Sequence, residues 1–272
     1  MALVARALTS EEEDELLGVT EFEEPGQGPA RPRGGLLQKP DDEFLAALRE
    51  WLRVHHVDDW TSNGETLLWY AAYASDQYRA NNGAAPEHWV QLARDLIARG
   101  ANPSISENWN GTTALMWACA GAAPLEMVPL LLDAGADVRA KARRGFEGKT
   151  ALAFVFTDTY HSTRDTLKLV HMLLRAGATL DACCSNMSAE DLLNACCDPE
   201  PAKALLQRAP RWPTAYATNP HLTELKRVYH GIRSSKGSYA RYVKKEVLVI
   251  LALVRKGRAS TIDAGAHRTA FD

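Results

Sequence analysis

The sequence predicts an all-α fold in which pairs of short helices stack side by side and are joined by short hairpin loops. A motif of the form Gly-x-Thr-apolar-Leu occurs three times, beginning at Gly64, Gly111 and Gly148. Each copy is followed by a helix-rich stretch that ends in an apolar segment and a Gly-Ala pair. Those pairs are Gly100-Ala101, Gly135-Ala136 and Gly177-Ala178. Because one such helix pair cannot cover its own apolar face, successive copies are expected to stack.

The ends of the helices follow from the same two motifs. The motif threonine is expected to cap the first helix of each pair through its hydroxyl. The later glycine is expected to take the left-handed conformation that ends the second helix. The threonines are Thr66, Thr113 and Thr150, and the glycines are Gly100, Gly135 and Gly177. Small residues in the first helices, such as Ala71 and Ala118, allow neighbouring helices to approach closely.

These residues resemble the ankyrin repeat, whose pattern is Gly-x-Thr-Pro-Leu-His-x-Ala followed later by Leu-Leu-x-x-Gly-Ala. The three motif glycines are 47 and 37 residues apart, longer than the usual period of about 33, and the extra length falls between the two helices of a unit. The family's Pro and His are absent, so the repeats are divergent. Leu67, Ala114 and Ala151 replace Pro, and Trp69, Met116 and Ala153 replace His. The resemblance implies an all-α, ankyrin-type solenoid of helix pairs, to which composition and apolar periodicity add a flexible N-terminal tail and C-terminal helices.

Three regions are expected along the chain. Residues 1–40 are acidic and rich in Pro and Gly, which is typical of a flexible tail. Residues 41–210 form the ankyrin-repeat domain, with an N-terminal cap helix, three clear units and one degenerate unit near residues 191–210. Residues 211–272 are basic and helical, with a long helix over Tyr239–Arg255. This last region resembles the basic helical tail of some ankyrin proteins of single-celled eukaryotes.

Composition sets the broad class of protein. The chain is 46% hydrophobic and 24% charged, with a formal net charge of −3, which is typical of a globular domain. Residues 1–43 carry eleven acids against four bases, and residues 220–258 carry ten bases against two acids. Such asymmetry favours an interaction tail or two ends that attract each other. The basic helices could also contact nucleic acid or acidic lipid, although a solvated face explains them equally well.

No targeting or membrane segment is predicted. The longest apolar run, Val247–Val254, has eight residues, whereas a bilayer needs about 20. The N-terminus lacks the basic, apolar pattern of a secretory signal. Five cysteines, an odd number, favour thiols in a reducing compartment over a disulfide framework. The cytoplasm is therefore expected, with an organelle or the nucleus left open.

No motif for catalysis, a cofactor or a metal is found. The chain lacks a phosphate-binding glycine loop, a nucleophile turn and a His-Glu-x-x-His pair. The adjacent cysteines Cys183-Cys184 and Cys196-Cys197 have the wrong spacing for structural zinc and are better explained as small core residues. His55 and His56 are expected at a helix end or on the surface. The sequence therefore predicts a protein that is not an enzyme.

The resemblance implies which residues meet a partner, because ankyrin proteins bind through hairpin tips and a concave face. The expected partner-binding residues are Asn63, Glu65, Tyr73, Trp109, Asn110, Thr112, Phe146, Glu147, Lys149, Thr157 and Asp158. Trp109 and Phe146 are expected as exposed aromatic anchors, with packing against a neighbouring loop as the alternative. Trp69 and Trp117 are expected to pack inside. Arg143 and Arg144 flank the third hairpin and add charge.

Two functional hypotheses remain from the sequence. The first is a non-catalytic adaptor that binds a protein partner through its hairpins and concave face. The alternative is an accessory structural subunit of a large membrane or ribonucleoprotein assembly, anchored by the N-terminal tail and the basic C-terminal helices. An adaptor should purify as a monomer. A structural subunit should co-fractionate with a large complex and keep residues 1–40 protected from protease.

Overall fold

A computed structural model of the chain describes most of the repeat region and parts of both ends. The residues described are 3–19, 33–34, 36–38, 41–77, 86–121, 123–144, 146, 148–157, 163–179, 227–228, 230–236 and 238–255. The chain divides into two compact units, Met1–Gly145 and Phe146–Asp272. The regular secondary structure of the described part is almost wholly helical, which confirms the all-α class. Its extended pairing is confined to a two-residue antiparallel pair, β1 (Gly18–Val19) with β2 (Arg33–Gly34), and a few isolated bridges.

The first unit contains two helix pairs preceded by a cap helix. Its helices are α1 (Ser10–Leu17), α2 (Asp41–Trp51), α3 (Leu67–Gln77), α4 (Pro86–Ala98), α5 (Ala114–Ala120) and α6 (Pro124–Asp133), with a 3-10 turn at Leu36–Gln38. Helix α3 packs on both α4 and α5, α5 packs on α6, and α4 packs on α6. The pairs α3–α4 and α5–α6 therefore stack side by side, as the repeated motif predicted for these two copies.

Small and apolar side chains fill the space between these pairs. Ala71 and Ala72 of α3 are fully buried, and so are Ala118 and Cys119 of α5, which allows the first helices to lie close together. Leu131 of α6 is also fully buried. Burial raises the pKa of the Cys119 thiol, so this cysteine behaves as a small apolar residue.

Each motif threonine stands directly before a helix, but the predicted hydroxyl cap forms at only one of the three. The Thr66 hydroxyl accepts the Trp69 backbone N–H at 3.2 Å. The hydroxyls of Thr113 and Thr150 are buried without a hydrogen-bond partner. At these two helices the N–H groups of Met116 and Ala153 donate instead to the threonine carbonyls, at 3.1 and 2.9 Å. The first turn thus tightens and satisfies its own donors, and the predicted hydroxyl capping is wrong there.

The predicted helix ends are confirmed. Gly100, Gly135 and Gly177 have φ values of 90°, 88° and 100°, a region that side-chain-bearing residues rarely adopt. The alanine after each glycine donates its N–H back into the helix, to Leu96, Leu131 and Leu173, at 2.9–3.0 Å. This bond is the one expected of a glycine-terminated helix. The three second helices therefore end in the same way.

The predicted cap helix is present as α2. Leu48 and Trp51 are buried, and α2 packs on α4 with an ion pair of 3.0 Å between Arg49 and Asp95. His55 follows the helix, stacks on Trp51 at 3.7 Å between ring centroids, and its Nδ1 lies 3.0 Å from the Trp51 carbonyl oxygen. This arrangement agrees with the helix-end role expected for His55.

Residues 3–19 differ from the flexible tail that was expected. Thr9 and Glu12 form a reciprocal capping box at the start of α1. The Leu8 N–H donates to the Trp60 carbonyl at 2.8 Å, and Leu16 is buried. The acidic composition of this segment favoured a flexible tail. Leu8, Leu16 and the capping box instead dock it on the rest of the first unit.

The second unit has its own helix pair and a C-terminal helix. Helix α7 (Ala151–Thr157) packs on α8 (Thr163–Arg175), and α8 packs on α9 (Tyr239–Arg255). Nδ1 of His171 lies 2.6 Å from the hydroxyl of Tyr239. Helix α9 coincides with the long helix predicted from the sequence, and residues 230–234 are also helical. Among the residues that the structure describes, no helix combines the length and apolarity needed to cross a bilayer.

Several predictions fall outside the described residues. The degenerate unit near residues 191–210 lies there, and so do Cys183, Cys184, Cys196 and Cys197.

Candidate functional site

The first hairpin spans residues 60–66 in the first unit. Trp60 and Thr66 form an antiparallel bridge, and the Thr61 N–H donates to the Glu65 carbonyl at 3.0 Å. Gly64 makes the turn, with a φ of 81° and its N–H on the Thr61 carbonyl at 2.8 Å. The turn leaves Asn63 exposed and Glu65 half-buried.

The second hairpin spans residues 106–113 and is organised by a buried carboxylate. Glu107 is 4% exposed. Its Oε2 accepts the Trp109 N–H at 2.5 Å. Its Oε1 accepts the N–H groups of Asn110 and Thr112, at 2.7 and 3.1 Å, and the Thr112 hydroxyl at 3.1 Å. Four donors from one loop thus converge on one side chain and satisfy both of its carboxylate oxygens.

Backbone hydrogen bonds join neighbouring loops. The Asn108 N–H donates to the Asn63 carbonyl at 2.7 Å, and the Arg143 N–H donates to the Asn110 carbonyl at 2.5 Å. In both cases the acceptor is the residue immediately before the turn glycine of a hairpin. The hairpins of the first unit therefore form a connected row, and the segment at Arg143 continues it.

Trp109 projects from this row. Its side chain is 63% exposed, although its backbone N–H is fixed by Glu107. The guanidinium of Arg144 lies 5.4 Å from the centre of the indole ring, a distance at which a cation is attracted to the ring face. Trp109 thus lies at a hairpin tip and is open to solvent, while its role as a binding anchor stays a prediction.

An aromatic cluster lies behind the second hairpin. Trp69 and Tyr73 stack at 4.8 Å between ring centroids, and Tyr73 meets Trp117 edge to face at 4.7 Å. The hydroxyl of Thr112 accepts the indole N–H groups of Trp69 and Trp117, at 3.2 and 3.0 Å. Trp69 is buried, as expected, whereas Tyr73 and Trp117 are half-buried. The cluster thus presents part of its edge to solvent.

Thr112 corrects one of the predicted partner contacts. It is 0% exposed, because its hydroxyl lies between two indole donors and the Glu107 carboxylate. Thr112 therefore supports the site from inside and cannot meet a partner directly. Asn110 is half-buried and holds the Arg143 segment through its carbonyl.

Glu65 is held by its neighbours. Its carboxylate accepts the Thr61 hydroxyl at 3.1 Å and also accepts the Tyr70 hydroxyl. Burial raises the pKa of Glu65 above its usual range, and the nearby charges of Glu107 and Glu13 add to the rise. Burial, followed by the charge and hydrogen bond of Glu65, raises the pKa of Tyr70. The predicted contact residue Glu65 is thus a fixed, partly desolvated carboxylate.

The third hairpin, in the second unit, is only partly described. The Lys149 N–H donates to the Phe146 carbonyl at 2.8 Å, and Gly148 has a φ of 73°. Phe146 is half-buried and stacks on Phe154 at 5.4 Å, with the Lys149 ammonium 5.4 Å from the Phe146 ring centre. The packing alternative thus accounts for much of the Phe146 surface. Glu147, Asp158 and the side chain of Thr157 lie outside the described residues.

Sequence reasoning missed the residue that organises the second hairpin. In the sequence, Glu107 looks like an ordinary solvated acid in a loop. Its position four residues before Gly111 carries no signal that is specific to a buried carboxylate. The nearby glycine and threonine show where the turn lies, but they do not show which side chain accepts the hydrogen bonds of the loop N–H groups.

The comparison with family models finds the ankyrin repeat at residues 110–143. This range begins in the second hairpin and covers α5, α6 and the segment that pairs with Asn110. A comparison with curated proteins found no match. Ankyrin repeats stack into surfaces that bind other proteins and generally lack catalytic activity. The hairpins and the glycine-ended helices agree with this match, which shows an ankyrin repeat at residues 110–143 and supports an ankyrin-type interpretation of the neighbouring, divergent copies.

Proposed function

We propose that the chain is a non-catalytic adaptor that binds a protein partner through the hairpin row of the first unit. The observation that carries the proposal is Trp109, an exposed indole on a loop whose backbone is fixed by Glu107. Large aromatic side chains dominate the binding energy of many protein interfaces. An anchor that is already ordered before binding loses less entropy when the partner arrives.

The aromatic cluster behind the hairpin supports the same proposal. Glu107 binds Thr112, and Thr112 binds the indole of Trp117 at 3.0 Å. One hydrogen-bonded chain therefore links the tip that carries Trp109 to the half-buried Trp117, against which the Tyr73 ring packs. Both residues are half-buried, so these rings add apolar area to the surface. A partner segment lying across this face would meet both the Trp109 indole and the exposed part of this aromatic cluster.

Affinity capture with quantitative mass spectrometry tests the proposal. The tagged chain is compared with Trp109→Ser and with the double variant Trp109→Ser/Phe146→Ser. We expect the partner signal to fall about tenfold or more for Trp109→Ser, as for a binding hot spot. The fall should be at least as large for the double variant. Helicity measured by circular dichroism should change little, because the indole contributes little to the core.

Val54→Ser is the matched control, since Val54 is a large apolar residue that is exposed outside the hairpins. It should leave capture unchanged. Equal capture by wild type and both Trp109 variants would remove the hairpin row from the binding site. A loss with Val54→Ser as large as that with Trp109→Ser would point to nonspecific hydrophobic capture instead.

A further inference from the structure

We propose that the surface around Trp109 takes an acidic, aromatic-containing segment of the partner protein, an inference that rests on the proposed function. Lys141, Arg143 and Arg144 lie within four residues of one another and are all exposed. None of the three forms an ion pair with an acid among the described residues. Their positive charge is thus available to a partner.

Two of these bases are held beside the second hairpin. The backbone of Arg143 is bonded to Asn110, and its side-chain Cγ lies 3.0 Å from the place that a Cβ on Gly111 would occupy. Arg143 therefore crosses the turn itself. The guanidinium of Arg144 lies over the Trp109 ring, 5.4 Å from its centre. The positive charge of these two arginines and the exposed ring of Trp109 thus lie on the same part of the surface.

The first hairpin carries the opposite charge. The Glu13 carboxylate of α1 accepts the backbone N–H and the hydroxyl of Ser62, at 2.8 and 3.0 Å. Glu11, Asp14 and Glu15 of the same helix are exposed. An acidic segment is therefore attracted to the second hairpin and repelled by α1, which fixes the direction in which it lies.

This pattern favours a short acidic peptide over nucleic acid. A nucleic acid is a continuous polyanion, and a strand lying along the hairpin row would meet the carboxylates of α1 as well as the three bases. A peptide needs only a few carboxylates at Arg143 and Arg144, while an aromatic or apolar side chain meets Trp109. Arginine guanidinium groups suit carboxylates because they offer paired donors in one plane.

Fluorescence anisotropy of the full chain with a labelled random copolymer of glutamate and tyrosine tests this inference. We expect binding that weakens with added salt and that falls about tenfold for Arg143→Gln/Arg144→Gln, as expected for the loss of two exposed ion pairs. The matched control is Arg94→Gln/Arg99→Gln, which removes the same charge from exposed positions at α4 and should bind as the wild type does. A labelled copolymer of lysine and tyrosine should not bind.

Four results would overturn the inference. The first is no binding of the acidic copolymer. The second is an equal loss in both double variants, which would indicate bulk charge. The third is equal binding of a single-stranded oligothymidylate that depends on Arg143 and Arg144. The fourth is self-association in sedimentation that Arg143→Gln/Arg144→Gln abolishes, which would make a second copy the occupant. If partner capture depends on Trp109 but is unchanged in Arg143→Gln/Arg144→Gln, the acidic-segment inference fails while the proposed function stands.

Discussion

The carboxylate of Glu107 accepts the backbone N–H of Trp109 at 2.5 Å, so the buried acid of the second hairpin fixes its exposed aromatic residue. The Glu107 side chain is buried and the Trp109 side chain is exposed, although both belong to one turn. A buried carboxylate is tolerated here because loop donors surround it, and two of those donors belong to Trp109 and Asn110, which we propose to meet a partner. Under that proposal, stability and recognition are coupled at this hairpin.

Glu107→Gln should therefore destabilise the first unit. If the amide oxygen replaces Oε1, the amide nitrogen faces the Trp109 N–H, and two donors then oppose each other. The expected loss in the free energy of unfolding is about 1–3 kcal/mol, the cost of leaving a buried donor unsatisfied. Urea denaturation followed by circular dichroism measures it. Glu126→Gln, at an exposed position of α6, is the control, and equal midpoints for both variants would contradict this role of Glu107.

The helix starts and ends could be predicted from the sequence because they depend on local chemistry. A glycine is needed where φ is near +90°, and Gly100 and Gly135 mark those positions directly. The threonine carbonyl and hydroxyl compete for the same first-turn donors, so Thr66 and Thr113 could not be told apart from the motif alone. Position was predictable here, but the hydrogen-bond pattern was not.

Contacts between distant residues account for what the sequence did not reveal. The docking of residues 3–19 depends on Leu8 meeting Trp60, and no local pattern links two residues so far apart in the chain. Thr112 was expected on the surface because its neighbours Asn110 and Trp109 belong to a hairpin tip. Its burial follows from two indoles on different helices that share its hydroxyl.

Leu131→Asp should unfold the first unit. Leu131 is fully buried in α6, and its carbonyl also accepts the Ala136 N–H that ends this helix, at 3.0 Å. A carboxylate there would be desolvated without a partner, with an expected loss above about 4 kcal/mol. Helicity and the thermal midpoint measure the change. Leu3→Asp, at a half-exposed apolar residue, should leave both unchanged, and a Leu131→Asp chain with wild-type stability would show that the core has been misassigned.

Gly231→Ala should destabilise the second unit although alanine favours helices. A Cβ at Gly231 would overlap the buried ring of Tyr242, whose Cδ2 lies 2.7 Å from it. The gain of about 1 kcal/mol in helix propensity is then outweighed by overpacking, which costs about 1–3 kcal/mol. The free energy of unfolding measures the balance. Gly231→Ala/Tyr242→Leu removes the overlap and should recover part of the loss, whereas strictly additive effects would contradict the contact.

Two carboxylates of the first unit should make stability depend on pH with opposite signs. The hydrogen bond from Arg6, followed by the Thr9 N–H, holds the pKa of Glu12 well below its usual range. The stability that Glu12 contributes is present above the ordinary glutamate pKa and is lost as pH falls towards the lowered value. Burial raises the pKa of Glu65. Its contribution is therefore greatest below the ordinary glutamate pKa and is lost as pH rises through the raised value.

Urea denaturation of wild type, Glu12→Gln and Glu65→Gln across acidic pH separates the two effects. The stability difference between wild type and Glu12→Gln should grow as pH rises towards the ordinary glutamate pKa. The difference between wild type and Glu65→Gln should shrink as pH rises from the ordinary glutamate pKa to the raised value, because the glutamine avoids the cost of a buried charge. Glu126→Gln, which replaces an exposed acid, should show neither slope. Parallel curves for Glu12→Gln and Glu65→Gln would contradict the opposite environments of these two side chains.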